Sequence, residues 1–273
     1  VIPVRTIVDA LVGQAFPDGP LVAALPMYDW PERRHEVNAE WAELRDALRS
    51  AGIAAPDRLA RSNADLPAVP GGIRDTSGKV IAKDPATLPP KEFDFESLWQ
   101  HPNLLFSQTC WGPLELWLGD GVRVVGQDDY SGLAGGEGEL YSSALVMRRA
   151  SANLGRAAGR QPDGPKPGAS LHTLLAGLRL AYNVADSMSG YMALERDLQA
   201  EGSSLDIFSD RVISGGHRKS IRMVAAGEAD VAAIDCKSWA LALEFEPTAK
   251  ELSVVGWTTK RKGLPFVTAN RRK

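Results

Sequence analysis

The chain has 273 residues, 44% hydrophobic and 24% charged, an ordinary globular composition with room for two domains of roughly 100–150 residues each. Its 31 Lys and Arg against 34 Asp and Glu give a formal net charge of −3, which disfavours a nucleic-acid binder. No apolar run approaches the ~18 residues of a membrane span, and two cysteines, Cys110 and Cys236, exclude a disulfide scaffold and an all-cysteine zinc site.

The sequence opens at Val1, and Val1–Pro20 lacks the basic start and apolar core of a signal peptide. A mature N-terminus after cleavage and a cytosolic start both fit this opening. Leu21–Leu25, an apolar run closed by Pro26, is predicted as a buried strand. Pro31–Ser50 is predicted as a helix, because Val37, Trp41, Leu44 and Leu48 recur at helical spacing. Asp29 suits its N-cap, Pro31 its first turn and Gly52 its stop. Ser62–Glu92 reads as a large loop, since it holds Pro67, Pro70, Pro85, Pro89, Pro90, Gly71 and Gly72. Phe95–Gln100 follows as a short helix, then Leu104–Thr109 and Val122–Gly126 as strands. Asp128–Glu139 and Gly155–Gly168 are glycine-rich loops on either side of a strand at Tyr141–Arg148.

The second half alternates more regularly. Helices are predicted at Leu171–Ala176, Gly190–Gln199, His217–Ala226 and Ser238–Phe245, and strands at Leu178–Asn183, Arg211–Ser214, Asp230–Asp235 and Leu252–Trp257. This rhythm predicts βαβ units and an α/β fold with mostly parallel sheets. In such sheets ligands sit beyond the carboxyl ends of strands, beside helix N-termini.

Three strand ends stand out. After Asn183 come Asp186, Ser187 and Ser189 with Gly190, hydroxyls and a glycine where a helix begins, which serve either as plain caps or as an anion site. Gly215 and Gly216 precede His217, whose neutral ring can donate to an anion or pack locally. Asp235 closes the third strand and is open to three roles: N-cap, ligand acceptor or partner of His217. The aromatic residues Tyr28, Trp30, Trp111, Tyr141, Tyr191 and Trp239 suit a ligand with an apolar or cationic part, or the core.

Taken in order, Leu25-Pro26-Met27-Tyr28-Asp29, Ser107-Gln108-Thr109-Cys110, Ser187-x-Ser189-Gly190-Tyr191, Gly215-Gly216-His217 and Ala232-Ala233-Ile234-Asp235 resemble the phosphate/phosphonate-binding-protein-like family. Its members are substrate-binding components of ABC importers with the type II periplasmic binding fold. The resemblance spans Leu21 to about Ala269. It implies two hinged α/β lobes, 1–143 with about 258–273 and 144–257, with a small anionic solute trapped between them. Tyr141–Arg148 would be the first crossing strand, with the return within 236–265. The resemblance implies head-group contacts from Ser187, Ser189, Gly190, His217 and Asp235. It places Tyr28, Gln108 and Thr109 on the opposite lobe, and Tyr141 joins the expected ligand-binding set. It also implies a monomer in the periplasm that serves ABC permease subunits, with no nucleic acid, no cofactor, no metal and no catalytic residue. The Pro-rich Ser62–Glu92 segment is longer than such a lobe usually needs.

The alternative is an enzyme or sensor of the same fold. Ser187, His217 and Asp235 could form a hydrolase triad, but no Gly-x-Ser-x-Gly elbow surrounds Ser187. Cys110 could pair with His217 as a thiolate, yet both cysteines are expected to be free, non-catalytic thiols. His35, His101, His172 and His217 are scattered, which disfavours zinc. About twenty residues precede the first strand, too few for the helix-turn-helix of a regulator.

Overall fold

The computed structural model describes residues 2–149 and 170–270, so the loop expected at Gly155–Gly168 lies outside the described residues. Contacts within the chain separate two units, Val1–Asp128 with Leu264–Lys273, and Asp129–Gly263.

In the first unit, strands β1 (Val22–Ala24), β4 (Leu104–Gln108), β5 (Val122–Gln127) and β14 (Pro265–Ala269) form a sheet in the order β1-β4-β14-β5. β1 and β4 are parallel, and β14 runs against both β4 and β5. Helices α1 (Val4–Leu11) and α2 (Arg34–Ser50) cover one face, where Ile7, Leu11, Trp41, Leu44 and Leu48 pack with Phe106, Val125 and Phe266. Trp41 stacks on Phe106, and Phe106 on Phe266, with centroids 6.2 and 5.2 Å apart. The other face buries Val22, Ala24, Leu104 and Val267 with Leu98 and Trp99 of α3 (Phe95–Trp99). Burial of each large apolar side chain contributes roughly 1.5–3 kcal/mol, which outweighs the weak intrinsic preference of so short a helix as α1.

Asp29 does not cap α2. Trp30 holds the N-cap position of a 3₁₀ turn, Pro31–Arg33, that leads into the helix. Arg61 draws the Asp29 carboxylate away by donating from Nε and Nη2, the latter at 3.0 Å. Gly52 ends α2 with φ +83°, a left-handed conformation suited to glycine, and Ile53 N donates back to Leu48 O at 3.0 Å. The Pro-rich segment holds a small hairpin, β2 (Ile73–Arg74) with β3 (Val80–Ala82), and two 3₁₀ turns, Asn63–Asp65 and Pro85–Thr87. Just before it, Ala60 N donates to Ala23 O at 2.7 Å, a single backbone bond along the outer edge of β1.

In the second unit, β8 (Ser143–Arg148), β9 (Arg179–Tyr182), β10 (Asp210–Ile213), β11 (Val231–Asp235) and β12 (Leu252–Trp257) form a sheet in the order β10-β9-β11-β8-β12. β10, β9 and β11 are mutually parallel, and β8 runs against β11 and β12. In each sheet the reversed strand is the one whose chain arrives from the other unit. Helices α4 (Leu171–Leu175), α5 (Ala193–Ala200), α6 (His217–Ala226) and α7 (Cys236–Phe245) join these strands. Leu145, Leu180, Leu194, Leu198, Val231 and Val255 form much of the core.

The division falls after Asp128 and Gly263, rather than at the expected 143 and 257. The glycine-rich loop folds back on its own unit, with Tyr130 N donating to Gly138 O at 2.7 Å and Ser142 N to Gly135 O at 2.8 Å. Within it, β6 (Gly136–Glu137) and β7 (Leu140–Tyr141) pair, and β13 (Arg261–Lys262) adds to β7. Both connecting segments are thereby held in the second unit.

Candidate functional site

Parallel β10, β9 and β11 lie side by side, so their carboxyl ends share one edge of the sheet. β9 runs out at Tyr182, and Ser187 caps a π-helical turn, Met188–Met192, that passes directly into α5. Met192 N donates to Ser187 O at 3.0 Å, the wide bond of a π turn, a local irregularity often found at functional sites. β10 gives way to Ser214, Gly215 and Gly216, and His217 opens α6. Gly215 adopts φ +81°, and its N–H donates to Asn183 O at 2.9 Å, which pins this turn beside the first. Asp235 ends β11 and starts α7, since its Oδ1 accepts from Lys237 N and Ser238 N at 3.1 and 2.9 Å.

The three strand ends converge on one imidazole. His217 Nε2 lies 2.9 Å from Ser189 Oγ and 3.3 Å from Asp235 Oδ2. Burial pushes the His217 pKa below its ordinary value, against the pull of the Asp235 charge, so the ring is neutral near pH 7. Ser143 Oγ, from the neighbouring β8, donates to Ser189 O at 2.8 Å and steadies the turn. The first turns that follow Ser187 and Gly216 carry no acidic side chain, whereas α7 is capped by the Asp235 carboxylate itself, the usual complement to the dipole.

Ser187 takes a different position from the one expected for a triad. Its Oγ accepts from Gly190 N at 3.1 Å and from Asn183 Nδ2 at 2.9 Å, and Ser189 is the serine that meets His217. Gly190 is required for close approach, but of Asn183 rather than of a ligand: a Cβ built there would stand 1.8 Å from Asn183 Oδ1. Tyr141 is buried and stacks on Tyr130 with centroids 5.3 Å apart, and Lys237 Nζ lies 5.9 Å above the Tyr130 ring. Sequence reasoning missed Asn183, Tyr130 and Lys237. A lysine in the first turn of a helix that starts at a strand-end aspartate was the available signal, because the dipole disfavours a cation there.

The remaining expected residues belong to the first unit. Gln108 ends β4, and its Nε2 donates to the buried Asp128 Oδ2 at 3.1 Å. Thr109 follows, fully buried, with its N–H donating to Pro265 O at 3.0 Å and its Oγ1 lacking a hydrogen-bond partner among the described residues. Tyr28 is buried in the segment after the neighbouring strand β1. Cys110 and Cys236 are both buried free thiols, and burial together with the Asp235 charge pushes Cys236 up to about 12. Trp239 is buried in α7, and Tyr191 packs on Tyr182 at 4.8 Å. Among the described residues no group of His, Cys, Asp and Glu could hold a metal ion.

Several solved structures share this architecture. A binding-protein component of an ABC phosphonate transporter from Pseudomonas aeruginosa is 15% identical with a TM-score of 0.56, the match covering 94% of this chain and 70% of that one. PhnD1 from Prochlorococcus marinus, solved with methylphosphonate, is 15% identical with a TM-score of 0.58 and coverages of 92% and 77%. A Xanthomonas citri protein solved with bound chloride is 16% identical with a TM-score of 0.54 and coverages of 93% and 78%. At these identities the likeness establishes the fold, that of the periplasmic binding proteins of type II. No curated protein sequence matches the chain. The family model for the phosphonate periplasmic substrate-binding protein of ABC transporters matches residues 119–272, more than half of the chain, and the chain belongs to that family.

Proposed function

We propose that the Ser189–His217–Asp235 cluster, with the turn from Ser187 to Gly190, holds the anionic head group of a phosphonate-like solute. The observation that carries this reading is the arrival of all three strand ends at His217 Nε2, at 2.9 and 3.3 Å. The hydroxyls and the N–H groups at the starts of the π-helical turn and of α6 supply donors, and the first turns of these two carry no acidic side chain. Asp235 orients the imidazole and offers an acceptor for a protonated or cationic part of the solute.

The same geometry argues for capture rather than catalysis. In a serine-hydrolase relay the histidine uses one ring nitrogen for the serine and the other for the carboxylate. Here both partners meet Nε2, so the carboxylate does not set the tautomer from behind the ring. Proteins of this family bind a small ligand and work with membrane permease components of ABC importers. This chain would do so in the periplasm as a monomer, and none of its described helices is long and apolar enough to cross a membrane.

Titration calorimetry with methylphosphonate tests the site. A hydrogen bond to a charged group is worth roughly 1.5–3 kcal/mol, so Ser189→Ala and His217→Ala should each weaken binding about 10- to 150-fold. Wild-type affinity in both variants would place the solute elsewhere.

A further inference from the structure

Asn183 is absent from the set of residues expected to touch a ligand, yet its side chain determines what the Ser187 hydroxyl can do. We propose that Asn183 is a positioning residue that makes Ser187 an obligate hydrogen-bond donor to the bound anion. This inference rests on the site reading above. A serine hydroxyl has two acceptor positions and one proton to give. On Ser187 Oγ both acceptor positions are filled, by Asn183 Nδ2 at 2.9 Å and Gly190 N at 3.1 Å. What remains is the proton. Ser187 is only 5% exposed, and no acceptor for that proton exists among the described residues. A buried donor left without a partner is costly, and an anion oxygen arriving at this turn removes the cost.

The orientation of the amide follows from its contacts. Asn183 Oδ1 is buried without a hydrogen-bond partner and would stand 1.8 Å from a Cβ on Gly190. It therefore rests against the Gly190 Cα, a weak C–H donor that a carbonyl tolerates. Turning the amide over would press its NH₂ group into that contact and point a carbonyl at the Ser187 hydroxyl, which would then consume the proton. The Asn183 main chain is itself held, its O accepting from Gly215 N at 2.9 Å. The amide thus has one position and delivers one polarity: donors inward to Ser187, and Ser187 donating onward. A donor fixed in this way favours an ionised oxygen of the solute at Ser187.

A double-mutant cycle separates this role from a merely structural one. Methylphosphonate and inorganic phosphate are titrated by calorimetry into wild type, Ser187→Ala, Asn183→Asp and the double variant, with thermal melts in parallel. An aspartate at 183 can only accept, so it captures the Ser187 proton. Ser187→Ala and Asn183→Asp should each weaken binding about 10- to 150-fold, and Asn183→Asp should cost under about 3-fold more once Ser187 is alanine. Equal losses from Asn183→Asp in both backgrounds would mean that the new charge acts through the field and would overturn the proposal, as would an Asn183→Asp protein of wild-type affinity. If Asn183→Asp fails to fold, Asn183→Ala completes the same cycle and must show the same dependence on Ser187. A Ser187→Ala protein of wild-type affinity, or a wild type that binds neither probe, removes the site reading itself and the inference with it.

Discussion

Arg218 and Glu246 join the first turn of α6 to the residue that follows α7, with Nε 2.8 Å from Oε2. Arg222, one turn further along α6, reaches the same oxygen, and Thr248 donates to the other. Glu246 is only 4% exposed. Burial works to raise its pKa, and the hydrogen bonds from Arg218, Arg222 and Thr248 overcome that and hold it at about 2. Because α6 opens with His217 and α7 opens after Asp235, this clamp fixes the two helices that carry the imidazole and its carboxylate.

Glu246→Gln should therefore destabilise the protein by about 1–3 kcal/mol at pH 7, because two guanidinium groups lose a charged acceptor. The native pKa lies below the ordinary value of 4.5, so the carboxylate's contribution is complete above that value and is lost as the pH falls towards about 2. Urea melts of wild type and variant at pH 7 and near pH 2.5 check this. A stability difference that does not shrink in acid would show that the clamp acts through packing and not charge.

The glycines of the two turns should respond unequally to alanine. Gly190→Ala forces a methyl group into Asn183 Oδ1 and should cost about 1–3 kcal/mol, with weaker methylphosphonate binding as Asn183 is displaced from Ser187. Gly216 caps α6 in an extended conformation, with no atom within 4 Å of a Cβ built there. Gly216→Ala should cost less, under about 1 kcal/mol, the difference between glycine and alanine at an N-cap. Thermal melts of the two proteins decide the point, and equal destabilisation would contradict the packing described here.

Much of the fold is readable in the sequence where local signals agree. α2 and α6 combine helical apolar spacing with a closing Gly52 or Gly227, and β12 occupies the predicted Leu252–Trp257. α1 escapes notice because its eight residues bury only Ile7 and Leu11. β14 escapes because it opens with Pro265 and its partners, β4 and β5, lie far back in the chain. The site divides along the same line. Residue chemistry at strand ends points to Ser187, Ser189, His217 and Asp235. The part of Asn183 depends on which atoms fill the space above Gly190, a tertiary fact that no local pattern encodes.

The cysteines should be chemically quiet. Cys236 is buried, and its pKa of about 12 leaves almost no thiolate at pH 8. Native protein should label slowly with a thiol reagent at that pH, and both thiols should titrate once the unreduced chain is unfolded. Finding no thiol in the unfolded protein would mean that Cys110 and Cys236 are oxidised.

Two histidines, the buried His101 and the part-buried His217, weaken the fold as the pH falls. Asn103 N donates to His101 Nδ1 at 3.0 Å, so the ring proton sits on Nε2, which donates to Pro67 O at 3.0 Å. A second proton on Nδ1 would face the Asn103 N–H, donor against donor. Burial lowers the pKa of His101 against the Pro67 hydrogen bond and the Asp84 charge, and burial lowers that of His217 against the Asp235 charge, both from an ordinary value of 6.5. With native values below unfolded ones, the unfolded chain binds protons first as the pH falls. Stability is then complete above about 6.5 and declines below it, by at most about 1.4 kcal/mol per pH unit for each histidine. His101→Gln removes one of the two groups and should flatten the decline between pH 6.5 and 5.5 while lowering stability at pH 7.5, where the Pro67 and Asn103 hydrogen bonds are weakened. Urea melts of both proteins across that range provide the test. A wild-type slope that His101→Gln leaves unchanged would show that His101 takes up its proton without opposing the fold.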